Sequence, residues 1–225
     1  MVERKKRVEE LDRLYPQYLS DEAAKQAIMD VGRRLYKKGY VAANDGNISC
    51  MVEPGIVWAT PTGVSKGYMT EEMMIKVDLT GRVLEGTYKP STELMMHLRV
   101  YQENPAVKAV VHAHCPMATA FACAGIALDQ PLLAEAVAML GPVPIAPFAL
   151  PGTPAVAESI APYCRDYKAV MLANHGVLTW GPNMTEALYR LERVEYYASL
   201  LMLTGHLPQP ARYIAPADVE ILKTY

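Results

Sequence analysis

His112-Ala113-His114 is the sharpest chemical feature of the chain. On a strand, residues i and i+2 point to one face, with Cα atoms about 6.5–7 Å apart. Two imidazoles at that separation can both come within about 2 Å of one metal ion. A third histidine, His175, stands in Asn174-His175-Gly176 between two runs that read as strands. Gly176 permits backbone conformations that other residues resist and leaves the imidazole unobstructed. Three neutral nitrogens with an open fourth position describe a catalytic rather than a structural zinc site. Glu93, in Lys89-Pro90-Ser91-Thr92-Glu93, stands where a helix should begin. Position alone makes it a residue favoured by the helix dipole. Its functional reading is a base beside the metal, able to coordinate the open position and swing off when substrate arrives.

Two further segments read as anion-binding turns. Asn44-Asp45-Gly46-Asn47-Ile48-Ser49 has small polar residues whose N–H groups can converge, and Thr60-Pro61-Thr62-Gly63 marks a tight turn after a strand. Ser91 and Thr92 add hydroxyls and N–H groups at a helix start, a favoured phosphate position. Spacing leaves open whether these segments meet. They would form a phosphate cup if they did.

The elements that must position these residues follow from periodicity. Ser20 is a candidate N-cap, with Asp21 and Glu22 in the first turn and Ala24, Ile28, Val31 and Leu35 on one face up to about Lys38. Strand-like runs follow at Asn47–Val52, Ile56–Thr60, Ile75–Asp78 and Arg82–Glu85, broken by Pro54-Gly55 and Thr80-Gly81. A helix is predicted from Ser91 or Thr92 to before Pro105, then a buried strand over Ala106–His114 and a small-residue helix to about Gly125. Val143–Phe148 reads as a strand and Thr153–Arg165 as a helix. Ala169–Ala173 and Val177–Trp180 read as strands, Thr185–Gly205 as the longest helix, and the Pro-rich tail as ending in a short helix. Together these give an α/β protein: three α/β/α layers around a mixed, largely antiparallel sheet. Residues 20–225 form one domain, preceded by a charged leader helix over residues 1–19.

Composition narrows the partners. The chain has 225 residues, 51% hydrophobic and 20% charged, with a net charge of −2, so neither a disordered tail nor a basic nucleic-acid surface is indicated. Apolar runs are too short for a transmembrane span, and the N-terminus lacks the apolar core of a secretory signal. The four cysteines contain no CxxC pair and read as reduced core or near-core thiols in the cytoplasm. His97 reads as a solvated helix residue, the methionines as core filler, Trp58 and Trp180 as strand packing, and His206 as a partner of a helix C-terminus.

Gly46–Ser49 (GNIS), Thr60–Gly63 (TPTG), Pro90–Glu93 (PSTE), His112–His114 (HAH) and Asn174–Gly176 (NHG) follow the order of motifs in the class II aldolase/adducin family. The chain resembles that family over residues 21–205. The resemblance implies an α/β/α fold and a C4 homotetramer with active sites between neighbouring subunits. It implies a divalent cation, usually zinc with manganese or cobalt as alternatives, held by His112, His114 and His175. It makes Glu93 the acid/base group and a ligand of the resting metal. It has Asn47, Thr62, Gly63, Ser91 and Thr92 hold the substrate phosphate. The implied reaction is reversible cleavage of a ketose 1-phosphate, such as L-fuculose 1-phosphate, to dihydroxyacetone phosphate and a small aldehyde. A Lewis-acidic metal would hold the charge that develops next to the carbonyl, and Glu93 would move the proton.

Departures from the aldolase pattern point elsewhere in the family. Its aldolases carry a tyrosine beyond the second metal histidine; here residues 131–136 have none, and Glu135 stands near that place on the aldehyde side. Methylthioribulose-phosphate dehydratases of the family have a glutamate in this region. Pentulose-phosphate 4-epimerases share the metal site but carry aspartate where Glu93 stands. Adducin-type scaffold modules lack the metal histidines. Tyr225 corresponds to a C-terminal tyrosine that reaches a neighbouring subunit's site. The leader 1–19 has no counterpart in compact members; it reads as an added surface or subunit-contact helix, or as a docking helix for a bacterial microcompartment.

Overall fold

The computed structural model describes residues 18–225. The leader helix expected over 1–19 lies outside the described residues except for Tyr18 and Leu19, which are not helical. Helix α1 (Asp21–Lys37) starts as its cap dictates: the Ser20 side chain accepts the Ala23 N–H at 3.2 Å. Asp21 also accepts from Trp58 Nε1 and Lys76 Nζ, both at 2.8 Å, which pins the helix start to the sheet.

Strands β1 (Asn47–Glu53), β2 (Ile56–Ala59), β3 (Ile75–Asp78) and β4 (Val83–Glu85) make an antiparallel run. They are joined by β5 (Ala109–Ala113), β8 (Gly176–Gly181), β7 (Ala169–Leu172) and β6 (Ile145–Ala146). The strand order is β4-β3-β2-β1-β5-β8-β7-β6, and only β6 and β7 pair in parallel among the described residues. The expected mixed, largely antiparallel sheet is therefore present.

Strand alternation sorts the core into two halves. Ala109, Val111 and Ala113 face one side, with Ile28 and Leu35 of α1 and residues of α3 (Pro116–Ala124) and α5 (Met184–Gly205). Val110, Val170 and Leu178 face the other, against α2 (Leu94–Glu103) and α4 (Pro154–Ile160). Helix α3 is capped from a distance: the buried Glu195 carboxylate accepts the Met117 and Ala118 N–H groups at 3.0 and 2.9 Å.

Several boundaries differ from expectation. Helix α2 begins at Leu94, not at Ser91 or Thr92, because the Ser91 hydroxyl takes the Glu93 N–H at 3.3 Å and closes a local turn first. Strand β5 starts at Ala109, three residues late, and β6 spans only two residues. Helix α4 stops at Ile160, and a 3₁₀ turn at Ala161–Tyr163 carries Pro162. Ala136–Leu140 forms a π-helical turn that periodicity did not indicate. The tail ends in α6 (Pro216–Leu222), as expected. Met95 and Met117 are exposed rather than core, and Cys123 is exposed while Cys50, Cys115 and Cys164 are buried free thiols.

Candidate functional site

Strand β5 sets His112 opposite Asn47 of β1 and Leu178 of β8. His112 is fully buried, and its Nδ1–H donates to Val177 O at 2.9 Å, which turns Nε2 toward the site. His114 lies one residue past the strand end, held by its own N–H on Tyr40 O at 3.0 Å. Its Nδ1 stands 3.3 Å from Asp45 Oδ2, and its Nε2 stands 3.2 Å from His112 Nε2.

His175 enters from the β7–β8 turn, where its N–H bonds Leu172 O at 3.0 Å and Asn174 takes φ +56°. The three rings form a closed triangle, with centroids 4.9 to 5.0 Å apart. Gly176 matters here through space, not through the backbone freedom expected of it. A Cβ at that position would lie 2.7 Å from Ala113 O and 2.8 Å from His114 Cδ2. The left-handed residue of the turn is Asn174.

Glu93 occupies the N-cap position of α2 and lies between two of these rings. Its Oε2 is 3.5 Å from His112 Nε2 and its Oε1 is 3.1 Å from His175 Nε2. Oε1 is nevertheless a buried carboxylate oxygen with no hydrogen-bond donor. Burial works to raise the Glu93 carboxyl, but His112, His175 and the Asn47 amide outweigh it and hold it well below the usual carboxylate range. Burial drives His112 down to about 3 against the pull of Glu93, and it lowers His114, aided by His175. Imidazole nitrogens that face one another, beside a carboxylate oxygen lacking a donor, fit a divalent cation at their centre. Among the described residues, His112, His114 and His175 form a group whose ligand atoms all lie within 4.8 Å of one another.

The two turns expected to bind an anion sit beside the helix start. Thr62 N–H bonds Lys89 O at 3.0 Å, and Pro61 bridges Pro90, so the Thr60–Gly63 turn abuts Ser91 and Thr92. Thr62, Gly63 and Thr92 are exposed. Asn47 is buried, its Nδ2 donating to Glu93 Oε2 at 2.9 Å and reaching Ser91 Oγ at 3.3 Å.

Three residues here escaped sequence reasoning. Lys66 is buried, donating from Nζ to Asn44 O at 2.8 Å and Val64 O at 2.6 Å, so it clamps the two turns together. Burial lowers it to about 8, against Asp45 and Glu93. Asp45, part of a turn whose spacing suggests anion binding, faces His114 instead. His97, expected to be solvated, is 2% exposed and bonds Ser49 Oγ at 2.7 Å and Asn47 Oδ1. Its i+4 spacing from Glu93 was the available signal. Glu135 and Tyr225 are exposed and line a common groove of about 430 Å³ with Met139 and Ile221, a groove to which the three histidines do not contribute.

Known proteins resemble this chain over most of its length. Residues 26–202 match the model for the class II aldolase and adducin N-terminal domain. A 3-oxo-tetronate 4-phosphate decarboxylase of Pectobacterium atrosepticum is 33% identical, covering 90% of this chain and 94% of its own. An L-fuculose phosphate aldolase of Methanococcus maripaludis is 34% identical, covering 78% and 94%. The crystal structure of YgbL from Escherichia coli superposes with a TM-score of 0.85 at 30% identity, covering 91% of this chain and all of that one.

Proposed function

The chain belongs to the class II aldolase and adducin family, and on that footing we propose that it is a metal-dependent carbon–carbon lyase releasing dihydroxyacetone phosphate, with 3-oxo-tetronate 4-phosphate as first substrate. The observation that carries this reading is the Glu93 carboxylate lodged between His112 and His175, with one oxygen lacking a donor.

The chemistry asks for the parts that are here. When CO₂ leaves the carbon next to the ketone, its bonding electrons pass to the carbonyl as an enediolate. One proton added at that carbon gives dihydroxyacetone phosphate. A retro-aldol cleavage of a ketose 1-phosphate leaves the same enediolate, with an aldehyde departing instead. His112, His114 and His175 would hold a divalent cation, zinc first for an all-imidazole set and manganese or cobalt next, which supplies Lewis-acid stabilisation of the developing oxyanion. Glu93 carries the proton to or from the carbon, a role typically worth about 10²–10⁴-fold in rate. Thr62, Gly63, Ser91 and Thr92 bind the phosphate and orient the chain of the substrate, while Asn47, expected among them, directs its amide N–H groups to Glu93 Oε2 and Ser91 Oγ instead. Decarboxylation leads because the decarboxylase relative matches more of this chain than the aldolase relative does.

A second reading, cleavage of L-fuculose 1-phosphate or a similar ketose 1-phosphate, draws on the groove shared by Glu135 and Tyr225. In it, that groove completes the aldehyde side of a neighbouring copy's site in a C4 homotetramer of the cytoplasm. The test is an assay of zinc-loaded protein on both substrates, following dihydroxyacetone phosphate and CO₂. Equimolar release of the two from 3-oxo-tetronate 4-phosphate is expected. Dihydroxyacetone phosphate from the ketose phosphate alone would establish the second reading, and release from neither would refute both.

A further inference from the structure

We propose that Tyr101, Ser49 and His97 form with Asn47 a one-directional hydrogen-bond chain that positions the Glu93 carboxylate, His97 being its central positioning residue. The inference rests on the reading of Glu93 as the proton-transfer group.

Helix α2 and its cap supply Glu93, His97 and Tyr101 at i, i+4 and i+8, all on one face. Strand β1 supplies Asn47 and Ser49 at i and i+2, likewise on one face. Four residues of helix and two of strand both advance about 6–7 Å. The two rows therefore stay in step and interleave. Tyr101 Oη lies 2.8 Å from Ser49 Oγ, and Ser49 Oγ lies 2.7 Å from His97 Nδ1. His97 Nε2 meets Asn47 Oδ1, and Asn47 Nδ2 lies 2.9 Å from Glu93 Oε2. Tyr101, Ser49, His97 and Asn47 are all buried, at 4% exposure or less.

The direction of every bond follows from the last one. An ionised carboxylate only accepts, so Asn47 must present its NH₂ to Glu93. Asn47 Oδ1 then faces His97 and needs a donor, so His97 carries its proton on Nε2. A neutral imidazole protonated there accepts at Nδ1. Ser49 O–H fills that acceptor, and Tyr101 O–H donates to Ser49 Oγ. No link has two donors or two acceptors. The chain commits Glu93 Oε2 to the protein and leaves Oε1 as the oxygen facing His175.

The direct test is the nitrogen NMR spectrum of His97 in zinc-loaded protein at neutral pH. A proton on Nε2 with a bare, pyridine-like Nδ1 is expected. A proton on Nδ1, or on both nitrogens, overturns the proposal. In turnover, His97→Leu is expected to lower kcat by about 10–100-fold with little change in KM, through misplacement of Glu93. His97→Gln, whose amide nitrogen can replace Nε2 as donor to Asn47, is expected to recover most of that loss. Should His97→Leu not fold, the NMR assignment in the unaltered protein still decides. Glu93→Gln separates the two claims. Turnover in Glu93→Gln refutes the role of Glu93 itself. An inactive Glu93→Gln beside an unimpaired His97→Leu refutes only the positioning chain.

Discussion

Asp45 stands 3.3 Å from the outer nitrogen of His114, and Val177 O holds the outer nitrogen of His112 at 2.9 Å. A partner behind a metal-facing imidazole fixes its tautomer and, when it is a carboxylate, raises its basicity. Replacing the carboxylate by an amide keeps the shape and removes the charge. Asp45→Asn is therefore expected to weaken zinc binding by about 10–100-fold in competition with a chelator. Unchanged affinity would show that Asp45 does not act on His114. Lys66 supports this arrangement by holding Asn44 O, the carbonyl next to Asp45. His112, His114, His175 and Glu93 were legible in the sequence because their side-chain types announce metal and proton chemistry. Asp45 and Lys66 were not, because their roles depend on how two turns fold back on each other. Nothing about a lysine following Val64-Ser65 says that its amine will be buried against carbonyls.

At the scale of elements, α2 does more than carry Glu93. It buries His97 on its inner face, and burial pushes that imidazole down to about 4, against Glu93. The folded value lies below the ordinary 6.5, so between pH 4 and 6.5 the unfolded chain binds more protons than the folded one. Stability therefore rises with pH across that window and is lost as pH falls through it, by on the order of 3 kcal/mol. Chemical denaturation from pH 4.5 to 7 should show a steeper acid loss in the natural protein than in His97→Gln. Parallel curves would contradict a buried neutral His97. Element types were readable from period 2 and period 3.6 patterns, and the α1 cap at Ser20 was readable from residue chemistry. Ends were less so. Ser91 diverts the start of α2, Pro162 cuts α4 short, and the π turn at Ala136–Leu140 has no sequence pattern of its own. The solvated reading of His97 failed because its partners lie in β1, some fifty positions away.

For the whole molecule, the sheet order explains why distant stretches meet. Strand β5 lies between β1 and β8, so Asn47, His112 and the turn holding His175 converge at one end of adjacent strands. Helix α2 packs on the sheet face to which His112 points and brings Glu93 to the same end. The layered architecture was legible from alternation alone; this convergence depended on strand order, which spacing does not contain. Among the described residues no helix is long and apolar enough to cross a membrane. The central claim is that three imidazoles from two distant stretches hold one divalent cation. Its most direct measurement is the metal content of protein equilibrated with zinc and dialysed, beside that of His175→Ala. One zinc per chain is expected in the natural protein, with loss of most of it in the variant. A natural protein without bound zinc, or a variant that retains all of it, would contradict the claim.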